Sequence, residues 1–195
     1  MKKLAVFVAV ILVATMVFGC SSSNGTSGSS NLTGSAQEVL TQVKDTADAT
    51  LTGTDKLPMT IDDPVTADTA ENMLGLTTDQ FSQYVEEAYS SMAAIATFAQ
   101  QFTVVKCKDA ASAAQVKDLI AKGFNSGKWI CVSPEESLVV DSGSYVLLAV
   151  GNKVQTQALA SAFAGLAGST GTVNTFYEGV GGEGALAAPA PLKAN

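Results

Sequence analysis

Apolar residues at Ala36, Val39, Leu40, Val43, Ala47 and Leu51 recur at spacings of three and four, the stripe of a helix with one buried face. Ser35 ahead of them and Glu38 three residues on make the capping-box pattern. Thr52 to Pro64 is turn-rich. Asp68 is then placed to cap a short helix with Glu71 in its first turn and Gly75 at its end. Between residues 77 and 101 two readings stand. Thr77 and Gln80 open a helix whose face is Phe81, Tyr84, Val85, Ala88, Tyr89 and Met92, while Tyr84 to Tyr89 also has strand-forming content. Phe102 to Lys108 is β-branched and reads as a strand, and Asp109 caps a helix over Ala110 to Phe124 that buries Ala113, Val116, Leu119, Ile120 and Phe124. Ser137 to Asp141 and Gly143 to Val150 form a hairpin through the tight turn Asp141-Ser142-Gly143-Ser144. A last helix follows Asn152, with Val154, Ala158, Leu159, Ala162, Phe163 and Leu166 on one face. Residues 169 to 195, rich in Gly, Ala and Pro, read as a loose tail.

The N-terminus has a different pattern. Lys2 and Lys3 precede an unbroken apolar run from Leu4 to Val13, and small residues follow, the layout of a secretory signal peptide over residues 1 to 19. The run is shorter than the roughly 20 residues a spanning helix needs. Val17-Phe18-Gly19-Cys20 resembles the bacterial lipobox, which implies cleavage between Gly19 and Cys20 and a diacylglycerol thioether, with palmitate-type acyl chains, on the Cys20 sulfur. Two acyl chains anchor stably where one does not. Ser21 to Ser35 contains only Ser, Gly, Asn and Thr besides Leu32, so residues 20 to 35 read as a lipidated cysteine on a flexible tether with a reach of roughly 20 Å. The expected location is the extracytoplasmic face of the cell membrane.

Composition narrows the chemistry. The chain is 47% hydrophobic and 15% charged, which excludes disorder throughout. Its eleven cations are all lysine, against eighteen carboxylates, and it has neither Arg nor His. Imidazole catalysis, imidazole metal ligands and bidentate Arg clamps are therefore absent. Without Lys2 and Lys3 the processed chain would carry −9, so charge-driven binding to nucleic acid is excluded and anionic headgroups repel the body.

Few residues suggest a site. Cys107 and Cys131 remain once Cys20 is lipidated. A disulfide between them would close a loop of about 25 residues and stabilise by roughly 3 to 4 kcal/mol, the other reading being two buried thiols. Trp129, the one tryptophan, is a candidate partner or ligand anchor, or packs under the sheet edge. Asp62, Asp63, Asp68 and Glu71 offer oxygens within ten residues, but without EF-hand spacing, so no metal is assigned. Glu86-Glu87 and Glu135-Glu136 are adjacent acids, which on a strand face opposite ways and read as solvated surface. Gly179-Val180-Gly181-Gly182-Glu183-Gly184 matches a dinucleotide-binding string but lacks the helix that must follow, so no cofactor is expected.

Glu71-Asn72-Met73-Leu74-Gly75-Leu76, Tyr84-Val85-Glu86, the run Ala99 to Asp109 and Gly143 to Val150 together resemble the DUF4358 family, over residues 68 to 165. That resemblance implies a small lipoprotein of Gram-positive bacteria without assigned function, and a strand over Gln80 to Ser90. It leads to an α+β fold in which an antiparallel sheet of about four strands packs helices on one face. Residues 36 to 64 form an N-terminal helix and connector, and residues 65 to 168 the α+β domain. The expected function is a non-catalytic binding module of the cell envelope, for an envelope protein or a small ligand. A carboxylate-dependent cell-wall or surface hydrolase is the alternative, and a purely structural envelope component a third.

Overall fold

The apolar runs Gln101–Cys107 (β3), Glu136–Ser142 (β4) and Tyr145–Gly151 (β5) are buried along almost their whole length, the signature of strands covered on both faces. They form the centre of a six-stranded sheet, completed by Thr60–Val65 (β1), Val85–Ala93 (β2) and Val173–Glu178 (β6), in the order β1-β2-β3-β5-β4-β6. Every neighbouring pair is antiparallel. The computed structural model describes residues 30–95, 97–169 and 173–179. Gly19, Cys20 and most of the Gly-x-Gly-x-x-Gly string lie outside them.

The helices cover two faces, where one was expected. Ala36–Thr50 (α1) and Lys153–Ala167 (α5) pack on Phe102, Val104, Leu138, Val140, Leu147 and Ala149. Ala110–Gly123 (α4), with the short helices Ala70–Leu74 (α2) and Thr78–Tyr84 (α3), lies on the other side, over Val105, Val139, Val146, Leu148 and Val150. The physical reason is the pleat: consecutive valines and leucines send alternate side chains to opposite faces, so each face needs its own cover.

Two of the six strands were not expected. Both lie at sheet edges, where one partner strand and a mostly exposed surface demand little apolar patterning. β1 buries only Val65 and carries Pro64, a residue confined to edges in sheets. β6 pairs with β4 and has no fully buried residue, so part of the segment read as loose tail is strand. The two readings of residues 77 to 101 are both realised, in succession. The Thr77–Gln80 capping box opens α3, and the strand begins at Val85, five residues later than the family resemblance implied. In α2 the N-cap is Thr69, not Asp68, while Gly75 ends the helix with φ +71.

The end of the tether is also part of the fold. Leu32 is buried in the α1–α5 core, the Asn31 N–H donates to the Ala167 carbonyl at 2.9 Å, and the Tyr145 hydroxyl donates to the Gly34 carbonyl at 2.7 Å. These contacts place the N-terminal segment at the sheet end formed by the β4–β5 turn, where Ser142 faces Tyr145 across Gly143 and Ser144.

Candidate ligand-binding cleft

At the opposite end of the sheet β2 ends beside the start of β3, and β5 ends beside the start of β4. The registers fix this: Gln101 faces Met92 and Val150, and Glu136 faces Gly151. A cleft of about 260 Å³ opens here, lined by Thr54, Thr97, Phe98, Ala99, Gln100, Val132, Ser133, Pro134, Glu135, Gly151, Asn152 and Gln155. Gly151 matters to its shape, because a Cβ there would stand 3.3 Å from the Gln100 side chain.

Two buried amides form one wall. The Gln155 NH2 donates to the carbonyls of Asp55 at 3.1 Å and Lys56 at 3.0 Å, which fixes its oxygen toward Gln100. Gln100 must then present its own NH2, and it donates to Gln155 Oε1 at 2.9 Å. That leaves Gln100 Oε1 as the acceptor, and this buried atom has no hydrogen-bond partner. Glu135 supplies the charge. Its carboxylate accepts the Lys153 N–H at 2.9 Å at the start of α5, and the Lys153 ammonium itself pairs with Glu178 at 3.1 Å. Among the described residues the cleft lining thus has one carboxylate and no basic side chain. Phe98, Ile95, Met59 and Ile130, all exposed, lie at this same end.

Gln101 points to the other face of the sheet and organises a second polar group. Its NH2 donates to the Met73 carbonyl at 2.7 Å and to Thr103 at 2.9 Å, and its oxygen accepts from Lys128 at 2.5 Å. The Lys128 ammonium also donates to the Asn72 carbonyl and sits 5.0 Å from the Phe124 ring and 5.1 Å from that of Trp129. Burial lowers its pKa to about 8.

The residues singled out in the sequence are dispersed. Cys107 and Cys131 are free thiols, so the bridge considered above is not formed. Cys107 is buried on β3, where burial pushes its pKa to about 12, and Cys131 is exposed in the loop before β4. Trp129 is half-buried and packs against the α4-side core. Asp62 binds Lys44 at 2.9 Å and Ser91 at 2.6 Å, and its carboxyl pKa is lowered by those hydrogen bonds, which outweigh the raising effect of burial, the largest single influence. Among the described residues no three His, Cys, Asp or Glu side chains are grouped to hold a metal. Glu86 pairs with Lys106, and Glu87 accepts the Ala36 N–H at 2.7 Å, capping α1 from a neighbouring strand.

Glu135 and Glu136 do not face opposite ways as expected: Glu135 precedes β4, both carboxylates turn to the first turn of α5, where Glu135 accepts the Lys153 N–H and Glu136 the Thr156 hydroxyl, and Glu136 is not surface. It is 1% exposed and accepts from Thr156 at 2.5 Å and Gln157 at 2.8 Å. Among the described residues that line the cleft, Glu135 is the one carboxylate. Gln100, Gln155 and Lys128 escaped sequence reading because amides and single lysines have no motif of their own. Their roles come from the junction of strand ends that gathers them.

No described helix is long and apolar enough to cross a membrane. No family model, curated protein or solved structure matches the chain.

Proposed function

We propose that this chain is a lipid-anchored, non-catalytic binding module of a bacterial cell envelope, of the DUF4358 type, tethered through Cys20 and displaying its cleft away from the bilayer. The signal peptide, the lipobox-like Val17-Phe18-Gly19-Cys20 and the Ser/Gly-rich stretch support the anchor.

One structural observation carries the orientation. The tether joins the fold beside the β4–β5 turn, through Tyr145 and Gly34, whereas Gln100, Glu135 and the exposed Phe98 lie at the other end of the strands. Seven residues of β5 separate the two ends, about 20 Å at 3.3 Å per residue. The processed chain's excess of carboxylates adds repulsion from anionic headgroups.

The anchor is tested by fractionating cells that make the Cys20→Ala chain. Accumulation of unprocessed chain, or its release from the membrane fraction, is the expected result. A Cys20→Ala chain processed and retained like the parent would remove the reading.

A further inference from the structure

Gln100 is 3% exposed, and its Oε1 is the one buried side-chain oxygen or nitrogen, among the described residues, without a partner. Native folds pair nearly all such atoms, and Gln100 lines the cleft, so an outside donor that displaces the wall enough to reach this closed-off oxygen would complete its pairing. A flip of the amide would not remove it, because Gln155 is held by two backbone carbonyls and needs the Gln100 NH2. The rest of the lining agrees in sign. Among the described residues Glu135 is its single charged side chain. The α5 amides of Lys153 and Val154 are already used by Glu135 and Asn152, which leaves neither to receive an anion. The half-exposed Phe98 ring, Val132 and Pro134 supply an apolar wall. The volume, about 260 Å³, falls below that of a site for a drug-sized molecule.

We infer that the cleft receives a small primary amine, its ammonium donating to Gln100 Oε1 and neutralised by Glu135, with the carbon skeleton against Phe98 and Pro134. An amino sugar or an amino-acid amide has the required size and donors. The inference rests on the binding-module reading and gives it a ligand class.

The test uses the full chain in mild detergent and two matched probe pairs, glucosamine with glucose and L-alaninamide with propionamide, followed by backbone-amide NMR shifts and thermal midpoint. The amines are expected to shift Gln100, Gly151 and Asn152 and to bind at least ten times more tightly than their ammonium-free partners. Glu135→Gln keeps an acceptor for the Lys153 amide, and is expected to weaken amine binding at least tenfold and abolish its salt dependence. Gln100→Leu is expected to weaken it similarly. Should Gln100→Leu fail to fold, Glu135→Gln decides alone. Equal binding within each pair, indifference to Glu135→Gln, or no perturbation of the cleft by either amine would overturn the inference. A cleft that takes the neutral members instead loses the amine class but leaves the binding module standing, and the Cys20→Ala fractionation is unaffected by either result.

Discussion

The Tyr145 hydroxyl donates to the Gly34 carbonyl across 111 residues of sequence, and so ties the first strand residue after the β4–β5 turn to the segment that leads into α1. Tyr145 itself is 4% exposed and lies in the core beneath α1 and α5. Replacing it with Phe keeps the ring and removes one hydrogen bond, a cost of about 1 kcal/mol. The effect should be local. Hydrogen exchange is expected to quicken at Asn31, whose amide is bonded to Ala167, while the β3 amides stay protected. Unchanged exchange at Asn31 would mean that Leu32 alone secures the segment.

Gly75 and Gly53 offer a matched pair of glycines at positive φ, +71 and +58. A side chain at Gly53 meets nothing within 4 Å, so Gly53→Ala is expected to cost only about 1 kcal/mol of backbone strain. At Gly75 the added carbon would fall into the backbone of Gly123 and Phe124, where the ends of α2 and α4 meet. Gly75→Ala is therefore expected to cost about 3 kcal/mol or more in urea unfolding. Equal losses would show that α2 can move off α4 freely.

Lys128 makes stability depend on pH. Its folded pKa of about 8 lies below the value of about 10.4 for a free lysine, so between the two the unfolded chain binds more protons and stability rises with pH. Cys107 acts in the opposite sense. Its folded pKa is about 12, so ionisation of the unfolded thiol above about pH 8.5 lowers stability as pH rises. Subtracting a Lys128→Met chain cancels the thiol. The parent is expected to gain on the order of 1 to 2 kcal/mol relative to the variant between pH 8 and 10. A difference that does not change with pH would place an ordinary lysine at this position.

The sequence made α1, α4 and α5 legible through an apolar helical period and a polar residue at the start, and the β4–β5 hairpin through its apolar runs and the turn at Gly143. Ser35 and Asp109 cap as expected, and Asn152 caps the helix it precedes. The edge strands escaped because an edge with exposed faces needs no apolar period: Thr60 to Pro64 reads as turn and is strand. Glu136 was misread for a related reason. Charge suggests surface, yet Thr156 and Gln157 satisfy the carboxylate inside. The cleft was invisible as a pattern, since Gln100, Glu135 and Gln155 are joined only by the fold, and the segment read as flexible through Ser35 instead buries Leu32 in the core.

Display of the cleft end outside the membrane is the central claim, and Cys131 reports on it directly. Its exposed thiol lies in the loop that leads into β4, beside the cleft residue Val132, whereas Cys107 is buried and its thiol is held protonated by burial. Spheroplasts of cells making the chain are treated with a membrane-impermeant maleimide, with a Cys131→Ser chain in parallel. The expected result is one label per chain before lysis, lost in Cys131→Ser, with Cys107 labelled only after unfolding. Labelling of Cys131 only once the cells are broken open would contradict the account.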